Sequence, residues 1–334
     1  MTWLSRSGSL RGMNETEDLL HIGMLIPPCA TSACAHERFI KKGFYRRACD
    51  SKRVQKFRCL NCDAHFSAQT ARDDYRMRTV RRWPELRRAL CSGASRRRCA
   101  LNFRMGRSSI ERALRILAVR AARAHEEFLR TRQPDTDVQF DEMETSEHTK
   151  WKPLSLPLVV SPERFILGIG VCRRSYKGPD ADKALEKYGP RPDFRKRLLE
   201  RLLSALPLHV SRATLVTTDQ EPMYPGLVKT YFPNASHATT PGGRGCVAGY
   251  GELKRKAWDP MFPLNHTAAS LRDGLATLKR RTWTTSKKPS GLLPLLMLYA
   301  DYHNTVLVPP ALERKRRLRE RRLAAAKAKA LETA

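Results

Sequence analysis

The sequence predicts an α/β domain, a mixed sheet with helices on its faces, behind a small cysteine-rich segment and a basic helical module. Three observations lead there. From Val138 to about residue 304, β-rich runs and amphipathic runs follow in the order three strands, helix, strand, helix, strand, helices. Four cysteines, Cys29, Cys34, Cys59 and Cys62, come as two close pairs. Between Asp73 and Arg130 the pattern is helical and strongly basic. At 334 residues the chain exceeds one typical domain, and 41% apolar residues are enough for a real core.

Charge bounds the partners. Lysine and arginine number 63 against 33 acidic residues, a formal net charge of +30. Such a surplus sets up a field that recruits polyanions, of which nucleic acid is the usual one. A ribosomal or membrane-surface protein with diffuse charge is the plainer alternative. No segment reaches the roughly 18–20 apolar residues needed to span a bilayer, so no membrane partner is expected. The start, MTWLSRSGSLRGMNETEDLL, lacks the apolar core of a secretory signal. The expectation is a cytoplasmic, nucleoid-associated protein whose nine cysteines stay reduced.

Residues 1–24 read as poorly ordered, and residues 25–72 as short strands and turns rich in aromatics. Cys29 and Cys34 are separated by four residues, and Cys59 and Cys62 form a Cys-x-x-Cys pair. Each spacing lets one turn offer two thiolates to a tetrahedral structural Zn²⁺. A segment this small needs such a clip to fold. The bland alternative is four incidental thiols, and Cys49, His36 and His65 are substitute ligands. Cys91, Cys99, Cys172 and Cys246 have no pairing pattern and read as core or incidental residues.

Residues 73–130 contain GASRRRCALNFRMGRSSIERALRIL, which reads as a helix-turn-helix. Its first helix spans roughly Ser95–Phe103, and its turn RMGR gives Gly106 freedom for the left-handed conformation. Ser108 and Glu111 have capping-box spacing. Ile110, Ala113, Leu114 and Leu117 form one apolar stripe. Ser109, Arg112 and Arg115 occupy the other face, where a DNA reader contacts the major groove or its phosphates. A hairpin that merely packs would look much the same.

RTRQPDTD (Arg130–Asp137) reads as a linker into the third domain, 138–304. There VQFDEM, PLSLPLVVS and RFILGIGVCRR read as strands, DFRKRLLERLLSALP as a helix, ATLVTTDQ as a buried strand, YPGLVKTYFP as a helix and ASHATT as a strand. PGGRGCVAGYG is a glycine-rich loop, and two helical runs follow. The tail, 311–334, carries nine Lys/Arg and three Glu and reads as a solvated basic helix.

Within this basic chain, VQFDEMETSE sets Asp141, Glu142, Glu144 and Glu147 in seven positions. Asp141 falls in the first strand of the domain and Asp219 at the end of LVTTD. Side by side in one sheet, two carboxylates repel unless cations separate them. Oxygen-only ligands suit Mg²⁺, and such ions work on phosphodiesters. A strand-end aspartate that only caps a turn is the bland reading of either residue alone.

These residues together, in CATSAC…FRCLNCDAHFS, FDEM, VTTDQ and NHTAASLRDGLATLKRRTW, resemble a DDE-type insertion-sequence transposase over about residues 29–304. The resemblance implies a zinc ribbon, a helix-turn-helix and an RNase H-like mixed sheet with flanking helices. It implies a DNA transposase that hydrolyses a phosphodiester at each element end and joins the freed 3′-hydroxyl to target DNA, as a homo-oligomer on paired double-stranded DNA ends. Asp141 and Asp219 would bind the catalytic Mg²⁺. Asn265 falls where the family has its third carboxylate, with Asp259 and Glu252 the acidic alternatives. Arg272, Arg280 and Arg281, with His266, Lys287 and Lys288, would contact phosphates, and Trp283 is a core residue or a stacking platform. The missing glutamate keeps a rival open, a catalytically inactive, transposase-derived DNA-binding protein. A structural RNA-binding protein is the second rival.

Overall fold

A computed structural model of the chain describes residues 34, 39–47, 51–67, 69–70, 72–132, 136–207, 210, 212–241, 259–279, 283–286 and 288–332. Residues 1–24, Cys29, His36, Cys49, the glycine-rich loop from Gly242, Cys246, Glu252, Arg280, Arg281 and Lys287 lie outside them.

The aromatic alternation of KFRCLNCDAHFS builds a three-stranded antiparallel sheet from β1 (Phe39–Arg46), β2 (Arg53–Cys59) and β3 (His65–Ser67), with β2 central. Phe57 and Phe66 stack at 5.4 Å, and Phe39 meets both edge-on. That cluster is the miniature core of the segment.

Three helices follow: α1 (Trp83–Leu90), α2 (Arg96–Asn102) and α3 (Arg107–Thr131). Ser95 caps α2, its Oγ accepting from the Arg98 N–H at 3.2 Å. The next turn differs from expectation. Gly106 has φ −63° and is the extended N-cap of α3, while Arg104 takes the left-handed conformation at φ 48°. The Ser108–Glu111 capping box is not made either. Helix α3 begins at Arg107, and Glu111 instead pairs with Arg96 of α2 at 3.3 Å. The apolar stripe is buried at Ile110, Ala113 and Leu114, with Leu117 packed partly against the core.

A six-stranded mixed sheet carries the rest. It comprises β4 (Asp137–Ser146), β5 (Pro153–Val160), β6 (Ile166–Ile169), β7 (Cys172–Arg173), β8 (Leu215–Asp219) and β9 (Ser236–Thr240). The order is β6-β5-β4-β8-β9, with β7 beside β5. β4, β5 and β6 are antiparallel, whereas β8 is parallel to both β4 and β9. Flanking it are α4 (Ala181–Tyr188), α5 (Arg195–Ser204), α6 (Tyr224–Tyr231), α7 (Phe262–Gly274) and α8 (Pro289–Tyr302). A π-helical turn at His303–Leu307 joins α8 to α9 (Val308–Glu332).

Period-two alternation assigns the faces. Val138, Phe140, Val159 and Val216 pack with Leu199 and Leu203 of α5 and Leu227 and Val228 of α6. Met143, Leu154, Leu156 and Leu158 face α7 and α8, in a cluster that also takes in Ile110, Ala113 and Leu114 of α3. The helical module and this sheet face therefore share one continuous core. Truncating a fully buried member such as Phe140 or Leu156 to alanine would cost about 2–5 kcal/mol. The run NHTAASLRDGLATLKRRTW reads as one helix to Trp283, but α7 stops at Gly274. A Cβ at Gly274 would lie 2.3 Å from the Tyr299 ring and 2.9 Å from the Cys91 carbonyl. Cys91, Cys99 and Cys172 are buried, as their lack of pairing suggested. No described helix is long and apolar enough to cross a membrane.

Candidate functional site

The β4–β8 register brings the two aspartates together. Gln139 pairs with Thr217 on the parallel neighbour, and Asp141 and Asp219 each lie two residues further along. Two residues is one full pleat, so the two aspartates are in phase on adjacent strands, and the Tyr224 hydroxyl reaches Asp141 from the α6 side. Burial pushes the Asp141 carboxyl up to about 6, and the negative charges of Asp219 and Glu142 add to the rise. Two hydrogen bonds to its Oδ1 oppose them, one from the Glu142 N–H at 2.6 Å and one from the Tyr224 hydroxyl at 3.2 Å.

The acidic island divides in two. Glu142 accepts from Ser155 and pairs with Arg195 at 3.4 Å, Glu144 pairs with Arg174, and Glu147 is held by Arg191 at 2.8 Å and Arg173 at 3.6 Å. Local neutralisation explains these three. Among the described residues no lysine or arginine pairs with Asp141. It is a poorly compensated carboxylate facing another carboxylate, in a chain with arginines to spare. Asp219 also does the bland job: its Oδ1 accepts the Glu221 N–H at 3.0 Å and closes the turn after β8.

The third wall is the start of α7. Gln139, in phase with Asp141, donates to the Pro260 carbonyl at 2.8 Å and accepts from the Leu264 N–H at 3.2 Å. Thr240, the register partner of Asp219, donates to the Met261 sulfur at 2.9 Å. Residues 260–264 are thus fastened to β4 and β9 near the strand ends that carry the aspartates. Asn265 donates its amide to Asp259 Oδ2 at 2.8 Å, and Asp259 Oδ1 accepts the Met261 N–H at 2.9 Å. His266 lies against the Arg164 guanidinium at 3.2 Å, and burial with that cation lowers its pKa.

Three residues of this arrangement were not picked out from sequence. Gln139 carried a signal, a polar residue in phase with Asp141 inside an apolar strand. Tyr224 and Arg195 sat in segments legible only as helix, with nothing to mark their aim.

Comparison with models of known protein families finds no match, and comparison with curated proteins finds none either. The functional reading therefore rests on geometry.

A second centre lies on the small sheet. Cys59 ends β2, and the chain turns back through Asp63 at φ 62°, with the Cys59 N–H donating to the Ala64 carbonyl at 2.9 Å. The sulfurs of Cys34, Cys59 and Cys62 all lie within 4.8 Å of one another, those of Cys34 and Cys59 3.6 Å apart. Two thiolates on one tetrahedral zinc sit about 3.8 Å apart, from Zn–S bonds of about 2.3 Å. The trio could hold a metal ion and is compatible with structural zinc. Among the described residues it is the one cluster of three such ligand atoms this tight, so the carboxylates at Asp141 do not form a closed cage.

Of the basic residues, Arg112 and Arg115 are exposed on α3, and Ser109 is half-buried. Arg112 also donates to the Tyr75 carbonyl at 2.9 Å. Arg272 lies in the last turn of α7. Trp283 is fully exposed, which overturns its reading as a core residue.

Proposed function

We propose that the chain is a DNA transposase with an RNase H-like domain, in which Asp141 and Asp219 hold a divalent cation for strand cleavage and transfer. One observation carries this: two carboxylates in phase on adjacent parallel strands, each near enough to feel the other, one without a described cationic partner, in a chain of net charge +30. The sheet order is compatible with that fold. The donor set fits the ion, since oxygen ligands with open positions suit Mg²⁺. When bound, the ion supplies Lewis-acid polarisation of the phosphodiester and a more acidic water. Tyr224 and the Glu142 N–H orient Asp141, and Gln139 fixes the start of α7, from which Asp259 or Asn265 would complete the shell. The cysteine trio, with Cys29, would hold structural zinc, while Ser109, Arg112, Arg115, Arg272, Arg280 and Arg281 bind double-stranded DNA as a homo-oligomer on paired ends.

The test is a strand-transfer and nicking assay on supercoiled plasmid and labelled 3′-hydroxyl oligonucleotides with Mg²⁺ or Mn²⁺. Product that falls at least about 100-fold in Asp141→Asn and Asp219→Asn supports the reading. Product unchanged in both variants sinks it. A second reading, a DNA-binding protein without the chemistry, draws on Asn265, whose amide is spent on Asp259. Duplex binding with no product under either metal would select it.

A further inference from the structure

We propose that the cleft between the β4–β5 turn and α4 binds an unpaired nucleobase with its flanking phosphate, and so takes single-stranded nucleic acid. The cleft encloses ≈ 820 Å³, within the roughly 300–1,000 Å³ of small-ligand sites. Its aromatic lining is Trp151, Tyr176 and Tyr188. Its cations are Lys152, Arg173, Arg191 and Lys288. Trp151 is held in orientation by its Nε1–H, which donates to Asp180 at 3.2 Å, and Tyr188 stands edge-on to it at 6.2 Å. Tyr188 is 37% exposed, so its ring remains reachable.

The cations of the lining, Lys152, Arg173, Arg191 and Lys288, outnumber its two carboxylates, Glu147 and the exposed Asp182. Glu147, on the floor, is already neutralised by Arg191 and Arg173. Lys152 Nζ lies 4.2 Å from the Tyr188 ring centroid, and Lys187 Nζ 5.7 Å from it and 5.9 Å from that of Trp151. Neither ammonium meets a carboxylate among the described residues. Both rest on ring faces, a weak contact in water that a phosphate readily outbids. An incoming nucleotide satisfies both halves: phosphate takes the ammonium groups, and the base takes the vacated ring face. Bases inside a duplex have no free face to offer, whereas an unpaired base does.

The rim continues the pattern. Glu147 bridges to Ser286, and the His148 N–H donates to the Ser286 carbonyl at 2.9 Å. This brings Ser286 alongside the cleft, three residues from the fully exposed Trp283 and two from the lining residue Lys288. Glu147 lies six residues beyond Asp141, about 20 Å along the strand, so the cleft is separate from the aspartate pair. The assignment stands whatever chemistry that pair performs.

Fluorescence anisotropy on the full, zinc-loaded chain tests it. The probes are a labelled short oligothymidylate, an abasic strand of equal length and a blunt duplex. Tyr188→Ala is expected to weaken oligothymidylate binding about tenfold or more, with abasic and duplex binding within about twofold. Tyr188→Phe, which keeps the ring, is expected to bind like wild type. Unchanged oligothymidylate binding in Tyr188→Ala, or an equal loss on all three probes, overturns the proposal.

Discussion

Replacing Asp141 with asparagine should make the protein more stable when no divalent cation is added beyond the structural zinc. The carboxyl is raised from 3.8 to about 6, by burial first and the neighbouring carboxylates second. A raised acid favours the fold only while protonated. Its stabilisation is complete below the unfolded value near 3.8 and is lost as pH climbs through about 6. Above that, the charged group costs the fold about 3 kcal/mol, from about two pH units at 1.36 kcal/mol each. Asparagine removes the charge, keeps an oxygen for the Glu142 N–H and the Tyr224 hydroxyl, and turns a donor toward Asp219. Urea denaturation at pH 7.5 should give a gain of about 1–3 kcal/mol. Millimolar Mg²⁺ should stabilise the wild type and leave the variant unmoved. A variant that is less stable without added cation, or a wild type indifferent to Mg²⁺, would refute the reasoning that this acid awaits a cation.

Other outcomes follow from the same contacts. His125 and His303 are each lowered to about 4 by burial, so the unfolded chain binds their protons first, and each contributes stability that is complete above pH 6.5 and lost toward 4. Asp141 opposes this over its own window. Denaturant midpoints measured against pH should therefore fall more steeply in Asp141→Asn between pH 6 and 4, by about one proton's slope, 1.4 kcal/mol per pH unit. Cys59→Ser should lose the bound metal and the amide protection of β1–β3 while the six-stranded sheet persists, as metal analysis and hydrogen exchange would show. Arg115→Ala should reduce the slope of log affinity against log salt on duplex DNA by about 0.9 if it contacts a phosphate; an unchanged slope removes it from the interface. Asn304 accepts from the Ile166 N–H at 2.9 Å and donates to the Ile166 carbonyl at 2.8 Å, capping a buried sheet edge. Asn304→Ala should cost about 2–3 kcal/mol in a urea titration.

Much of this fold could be read from patterning because strands leave a local imprint. VQFDEM and LVTTD alternate or run apolar, and both became strands with their aspartates in phase. Helix α2 came within one residue at each end of its expected Ser95–Phe103 span because its signals are local. What escaped depended on distant partners. The left-handed residue fell on Arg104, where α2 and α3 had to cross, rather than on the permissive Gly106. Helix α7 ended where Tyr299 and Cys91 press on Gly274, two contacts remote in sequence. Helix α4 went unread, and with it the cleft. Of the aspartate site, the pair was legible from strand ends, but the clamp by Gln139 on residues 260–264 was a tertiary fact.

The π-turn at His303–Leu307 does more than end one helix and start another. Through it α8, sunk in the core, continues without a break into α9, whose 25 residues reach about 37 Å. The fixed end of this rod includes Asn304, bonded to the edge strand β6. A polyanion gripped at the arginines midway along it, Arg314 to Arg321, would apply torque at that root, so force on the tail would be felt first at Ile166.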